Sequence, residues 1–551
     1  MARFRLGVVG LGIFCLALAP LHQGINAPRS LAGPPAPSDP SRRDVLAAAA
    51  KIDRAIVSAY AANDVKPTVE ADDAEFLRRV YLDLTGCIPT VREVRDFLAN
   101  KSSEKRLQVV EKLLQHPRFV EHFTRVWRFQ MLPRSNDQNI QGLAGGMENW
   151  LRKHFRANTP YDKMVRELLT TAIAGNGQMP NNGPSALPFF QANELKPENL
   201  AASTSRLFLG VNLECAQCHD HPFATWKRKQ FWEYAAFFAS IQPQQQRRPA
   251  KPGGPVAKAE PERRSIKYKQ GTKDVEVEAR FLDGKAPEWK PNVLVRTTLA
   301  DWLTSPANPY FARNAVNRMW AHFFGLGIID PVDEPGEDHP PSHPELLDEL
   351  TKDFIDHKFD LKFVIRAITA SKTYQLSSAT TTEPAPEEAR LFTHMAVRGL
   401  SPEQLFDSLV QATGDSGNRD QAKFAQARQQ ILSRFANPSD KPTEYQTSIL
   451  QALSLMNGKY IEDVTKLVPE KHAEVLEGGA TLNAVIDAPF LDTKGRIEAL
   501  YLAALSRKPR PAELDKLVKY VDKGGPSGDF KKALADVFWA LLNSPEFFLN
   551  H

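Results

Sequence analysis

The sequence predicts a mainly α-helical protein, with two helical domains built from helical-hairpin units and one small β-hairpin inserted between them. Three observations carry that expectation. Apolar residues recur at three and four spacing through residues 44–240 and again from about residue 293 onward, the period that repeats one face of an α-helix. Helix starts are marked by cap residues and prolines at fixed offsets. Strict alternation of apolar and charged residues is confined to one short stretch around Gly271, as a single hairpin requires. A chain of 551 residues also exceeds one ordinary core and should divide into two or three domains.

Residues 1–27 read as a secretory signal peptide. Arg3 and Arg5 precede an apolar run from Leu6 to Leu18, with small Ala17 and Ala19 at its end, the charge and hydropathy order of an export signal. Export to the periplasm or cell surface is the expectation. Pro20 after Ala19 and Pro28 after Ala27 both sit badly for cleavage, so an uncleaved anchor stays open. Phe14 precedes Cys15 where a lipoprotein signal wants a small residue, so no lipid anchor is expected. No later segment reaches the roughly 18 uninterrupted apolar residues of a membrane span. Residues 28–43 are mostly Pro, Ser and Ala, a composition that buries no core and reads as a disordered tether.

The first helical domain, 44–240, is predicted to contain helices over Asp72–Leu84, Thr90–Leu98, Ser103–Gln115, Arg118–Gln130, Thr159–Ala172 and Lys196–Leu209. Thr90 with Glu93 is a capping box, and Thr159-Pro160 sets a cap residue before a first-turn proline. Residues 241–292 form the insert: a polar run from Gln242 to Arg263, then alternating Ile266, Tyr268, Val275, Val277, Ala279 and Phe281 about Gly271-Thr272-Lys273-Asp274, a hairpin pattern. The second helical domain, 293–551, includes a helix Pro344–Phe354 that Ser342 and Glu345 would open as a capping box.

The two ends of the chain echo each other. Tyr81-Leu82 with Pro89, Glu93 and Phe97 recurs in register as Tyr501-Leu502 with Pro509, Glu513 and Leu517, and Leu113-Leu114 with Pro117 and Phe119 matches Leu541-Leu542 with Pro545 and Phe547. One helical unit used twice would give this pattern; helical hairpins converging on the same proline punctuation would give it too.

A net charge of +5 is small for this length and leaves no nucleic-acid footprint. The chemistry-bearing signal is Cys215-Ala216-Gln217-Cys218-His219, the C-x-x-C-H pattern of covalent haem attachment in exported proteins. With 4 Cys and 13 His in the chain, chance gives such a pattern on the order of once in a thousand sequences of this composition. Two thiols at this spacing can add across the vinyl groups on one edge of a haem, and the next histidine then ligates the iron. A Cys215–Cys218 disulfide, or zinc held by the same thiols with His219 or His221, are the structural alternatives. Cys87, on an apolar background, reads as a small buried hydrophobe.

For a sixth iron ligand the sequence offers His343 and His339, which cluster with Glu337, Asp338 and prolines, and His221, which would have to cross to the opposite haem face. His322, His394 and Met395 lie in helix-like apolar patterns and read as packed residues. Phe223, Trp226, Phe231, Trp232, Tyr234, Phe237 and Phe238 could wall a haem, although their spacing is that of an ordinary core stripe. Arg318 and Arg398 could pair haem propionates or an anionic ligand bidentately, structural ion pairs being the commoner use of such arginines. No G-x-S-x-G, H-E-x-x-H or glycine-rich phosphate loop occurs.

Phe76-Leu77-Arg78-Arg79-Val80-Tyr81-Leu82-Asp83-Leu84-Thr85-Gly86, Arg206-Leu207-Phe208-Leu209-Gly210 and the run Cys215 to Pro222 resemble signature stretches of exported planctomycete proteins that pair a cytochrome-like domain (PSCyt type) with a second domain of unknown function (PSD type). The second half of the resemblance rests on Asn314-Ala315-Val316-Asn317-Arg318-Met319-Trp320-Ala321-His322-Phe323-Phe324-Gly325, on Pro341 to Leu347 and on Ser371-Lys372-Thr373-Tyr374-Gln375. Longer members carry an additional cytochrome c domain near the N-terminus that this chain lacks, and Cys87 replaces a more usual apolar residue. The resemblance implies fold, export and haem association, and supplies no reaction. The expectation is therefore an exported single-haem c-type protein, with covalent haem c on Cys215, Cys218 and His219, serving a redox partner protein or exported enzyme. The opposing expectation is a non-redox structural or carbohydrate-associated module whose Cys/His cluster is a disulfide or metal site. A hydrolase using His339 and His343 with Asp333, Glu337 and Asp338 ranks last.

Overall fold

The punctuation of the sequence becomes the caps of the fold. The computed structural model describes residues 41–132, 138–173, 184–222, 224–241, 263–333, 339–380, 386–415, 421–434, 459–467 and 480–551. Helix Asp73–Thr85 opens on the Asp72 carboxylate, which accepts from the N–H groups of Ala74 and Glu75 at 2.9 Å, and ends on Gly86 in the left-handed region. Thr90 and Glu93 satisfy each other's backbone as the predicted capping box ahead of helix Val91–Ala99. Pro117 takes the first position of Pro117–Met131, and the His116 ring caps it by accepting from Arg118 N–H at 3.1 Å. The result is mainly α, with two small two-stranded antiparallel sheets among the described residues.

Several expectations shift in detail. Order begins before Asp44: the Ser41 hydroxyl accepts from Asp44 N–H at 3.2 Å and starts helix Arg42–Asn63, whose inner face buries Val45, Ala48, Ile52 and Ile56. Residues 42 and 43 of the expected tether are therefore helical, while the signal segment 1–27 and the rest of the tether to residue 40 lie outside the described residues. Thr159 does not cap its helix, which runs Tyr161–Leu169 after Pro160. The Ser342/Glu345 capping box is not formed. Pro344 occupies the first helical position of Pro344–Asp356, so the cap position falls on His343, and the Ser342 hydroxyl donates instead to Ile328 O at 3.3 Å. Helices Gln138–Arg156 and Leu187–Ala192 were not anticipated; the first carries three glycines that weaken its pattern, and the second is below the length that periodicity resolves.

The predicted hairpin pairs Ser265–Gln270 with Lys273–Glu278 about Gly271-Thr272. One face buries Tyr268 and Val277, and Tyr268 stacks on Trp232 with ring centroids 5.3 Å apart and planes 2° from parallel. The polar run 242–262 that precedes it lies outside the described residues.

Two apolar cores hold the chain together. The larger draws on residues from Val45 to Met395, on both sides of the hairpin, and includes Leu502; the smaller is built mainly from residues 400–548 and includes Leu82 and Ile88. Leu82 and Leu502 occupy equivalent places in the sequence echo, so each copy sends that leucine into the core dominated by the other. The echo extends to element order. Asp73–Thr85 ends on Gly86 at φ 66° and Thr493–Leu505 ends on Ser506 at φ 58°. Capped helices Val91–Ala99 and Pro511–Asp522 follow, then Lys105–Leu114 and Phe530–Leu542, then proline-started Pro117–Met131 and Pro545–Phe548.

Buried polar groups join the same regions. The Asp83 carboxylate, 1 % exposed, accepts from Tyr374 Oη at 2.8 Å, Arg398 Nη2 at 2.8 Å and Asn550 Nδ2 at 2.7 Å. Arg78 donates to the carbonyls of Ala504, Glu546 and Phe547, and Arg79 to those of Tyr374, Leu376 and His551. These bonds offset part of the cost of burying the ions; Arg78 Nε and Arg398 Nε are buried without a partner among the described residues.

Candidate functional site

Helix Pro197–Thr204 widens into a π-turn over Ser205–Leu209, which Gly210 stops at φ 69°. Inserting one residue per turn frees backbone carbonyls from the helical ladder, and here a second helix takes them. From Phe311–Phe324, Asn314 Nδ2 donates to Leu207 O at 2.8 Å, and Arg318 donates to Leu207 O at 3.1 Å and Arg206 O at 2.7 Å. Arg318 also pairs with Asp333, whose own carbonyl accepts Asn212 N–H at 3.1 Å. The segment leading to the cysteines is thus clamped by Asn314 and Arg318, positions i and i+4 on one helix face, while Asn317 holds the Ile329 backbone.

The motif itself lies on a 3-10 turn, Glu214–Gln217. Three residues per turn bring positions i and i+3 to the same side, so Cys215 and Cys218 share one face. Both are exposed free thiols, while Ala216 between them is buried. Gln217 O accepts from Arg228 Nε and from Trp232 Nε1, each at 3.2 Å, and Arg228 lies over the Tyr268 ring at 5.0 Å. The hairpin therefore buttresses the turn through helix Arg228–Ala235.

His219 follows, exposed, with Nδ1 at 2.7 Å from Asp220 O. A carbonyl only accepts, so Nδ1 is the donor in this bond and Nε2 is left for another partner. The Asp220 carboxylate accepts Arg228 N–H at 2.9 Å and lies 3.3 Å from Lys227 Nζ. The Arg228 backbone bond first, then Lys227, hold its pKa below the ordinary carboxylate value. His221 closes the loop instead: its backbone N–H donates to Trp226 O and its Nδ1 accepts Ala224 N–H, both at 2.9 Å.

The other candidates are elsewhere. His343 is 5 % exposed and packs on Phe392, with Nδ1 3.0 Å from Ser342 Oγ; no contact among the described residues joins it to the motif turn. His339 is half-buried, and Glu337 and Asp338 lie outside the described residues. Asp333 is committed to Arg318 and Arg206. His322 rests its Nε2 on Asp83 O at 3.2 Å, and Arg398 pairs with Asp83. Met395 is core; His394 is half-buried beside Thr393. Of the aromatics, Phe231, Tyr234, Phe237 and Phe238 are core, Trp232 serves the turn, and Phe223 lies outside the described residues. Among the described residues no group of three or more His, Cys, Asp or Glu is placed to hold a metal ion, and no helix is long and apolar enough to cross a membrane.

Sequence reasoning missed a cleft of ≈ 450 Å³ that runs beside the turn. Val211 and Trp226, which bracket the motif in sequence, line it together with Tyr310, Arg313 and Asn314 from the opposing segment. Its signal was present as Asn314 and Asn317, polar residues among the buried positions of helix Phe311–Phe324.

Residues 51–243 match the family model PSCyt2, protein of unknown function (DUF1549), and residues 295–434 match PSD1, protein of unknown function (DUF1553). No curated protein and no solved structure matches the chain.

Proposed function

Taking as premise that the chain belongs to the planctomycete-type pairing of these two domains of unknown function, we propose that it is an exported, single-haem c-type cytochrome-like protein acting as an electron-transfer component. One observation supports this reading above the others. Cys215 and Cys218 stand free on one exposed face, and His219 beside them has Nδ1 committed to a carbonyl and Nε2 open. A backbone bond on the second nitrogen is the arrangement that fixes the tautomer and raises the basicity of a metal-bound imidazole. The donor set therefore fits a haem: the thiols would hold its edge and His219 its iron. Bound there, the haem would supply one-electron exchange at a potential set by its axial ligands. This chain's own residues hold the turn still through Gln217 O, keep His219 oriented through Asp220, and present the face outward to a redox partner protein.

The same-face placement of the thiols also favours a second reading, a Cys215–Cys218 disulfide in an oxidising compartment, with the protein serving as a non-redox structural module. One preparation separates the two. Matured in an exporting host that attaches haem c, the chain should be red, should carry haem that survives denaturation, and should lose one thioether on Cys215→Ser or Cys218→Ser. His219→Ala should retain covalent haem and change the reduced spectrum. A colourless protein at its bare mass sinks the haem reading, and a mass lower by two hydrogens establishes the disulfide.

A further inference from the structure

The cleft beside the motif turn is tied to it from two sides. Arg206 lies 3.9 Å from the Glu214 carboxylate and 3.5 Å from that of Asp333, so one guanidinium joins the residue before Cys215 to the residue after Val332, which lines the cleft. On the other side Trp226, also in the lining, accepts the His221 backbone N–H on its carbonyl at 2.9 Å. The loop that carries Cys215, Cys218 and His219 therefore leaves the cleft wall at Val211 and returns to it at Trp226.

The walls suit a flat apolar ring with an acidic edge. Trp226, Tyr310, Ile329 and Val332 offer aromatic and aliphatic surface, and the ≈ 450 Å³ of the cleft falls within the usual range for small-molecule and cofactor sites. Among the described residues that line it, Arg313 is the charged one; it is half-buried and pairs through Nη1 with the exposed Asp348, and a guanidinium has further donors to offer. The arginines that the sequence offered to the acid groups of a haem are committed elsewhere, Arg318 to Asp333 and two carbonyls and Arg398 to Asp83 and His322 O. A haem held by two thioethers lies either out in water or folded back on the protein beside the turn. Water disfavours the first in proportion to the apolar area left exposed, and the turn adjoins an apolar cleft. Resting on the haem reading above, we propose that this cleft is the seat of that haem: the thioether edge stays at the exposed face of the turn, the ring covers Trp226, Tyr310 and Val332, and one propionate pairs with Arg313.

The test uses the full chain matured with covalent haem, read by its reduction midpoint and by circular dichroism in the Soret band, which reports a ring fixed against aromatic side chains. Ferric haem carries one more positive charge than ferrous, so a cation at its edge favours the reduced form. Arg313→Gln should therefore lower the midpoint and shift the one-electron equilibrium severalfold toward ferric. Val332→Trp, which fills the cleft from a half-buried position, should abolish the Soret signal while the mass shows both thioethers intact; if that variant does not fold, Arg313→Gln decides. In a red protein, a midpoint that Arg313→Gln leaves unmoved, or a Soret signal that survives Val332→Trp, overturns the seat and leaves the haem reading standing. A colourless parent at its bare mass removes the haem reading and the seat with it.

Discussion

The buried ring of His343 makes the fold sensitive to acid. Its centroid lies 5.6 Å from that of Phe392, and its Nε2 has no partner among the described residues. Burial, and after it the charge of Arg390, push the imidazole down to about 4 from its ordinary 6.5. As pH falls through 6.5 the unfolded chain takes up the proton, whereas the folded chain refuses it until about 4. Stability is therefore full above the upper value and is lost across that window, by about 3 kcal/mol. His343→Asn keeps a donor for Ser342 and should flatten the dependence of the urea midpoint on pH between those values. Equal slopes in both proteins would refute the assignment. At this scale the sequence was informative where spacing alone carries the chemistry: Cys215, Cys218 and His219 needed no fold to be noticed. Asn314 and Arg318 were not readable as clamps, because their acceptors are carbonyls over a hundred residues away. Asp83 gave no sign at all for the same reason.

Among the elements, the segment Pro545–Phe548 with strand Leu549–Asn550 has an importance out of proportion to its length. It supplies buried Phe547 and Phe548, two carbonyls for Arg78, a donor for Asp83 and the strand that pairs with Arg398–Gly399. Each lost phenyl costs about 3–5 kcal/mol, and a stranded buried ion a comparable amount, so deletion of residues 545–551 should cost about as much as the 5–15 kcal/mol that holds an ordinary domain. The expected result is an insoluble or denatured product by circular dichroism. Asn550→Ala, which removes one charge-assisted bond, should cost about 1.5–3 kcal/mol. A truncated chain that melts like the parent would contradict this. Proline and cap residues made most of these helices legible, including the four-helix echo. The π-turn at Ser205–Leu209 was not, since its apolar spacing is also that of a continuous helix, and the Ser342 box failed because a first-turn proline moves the cap by one residue.

Over the whole molecule, the larger core takes residues from both sides of the hairpin, and Leu82 and Leu502 each reach into the core dominated by the opposite copy. Cores that share side chains lose them together, so calorimetry should give one transition whose calorimetric and van't Hoff enthalpies agree. Leu82→Ala and Leu502→Ala should each destabilise it by about 2–5 kcal/mol without splitting it; two resolved steps would show that the halves stand alone. The helical class was legible from periodicity, which is local. The sharing of cores was not, because nothing in the period of a helix states which partner its apolar face will meet.

The position of Asp83 has a consequence for biogenesis. Its partners come from residues 374, 398 and 550, and a ribosome delivers them in that order. The carboxylate is laid down early and gains the last of these donors only once residue 550 has been made, so the polar set around it is completed at the very end of synthesis.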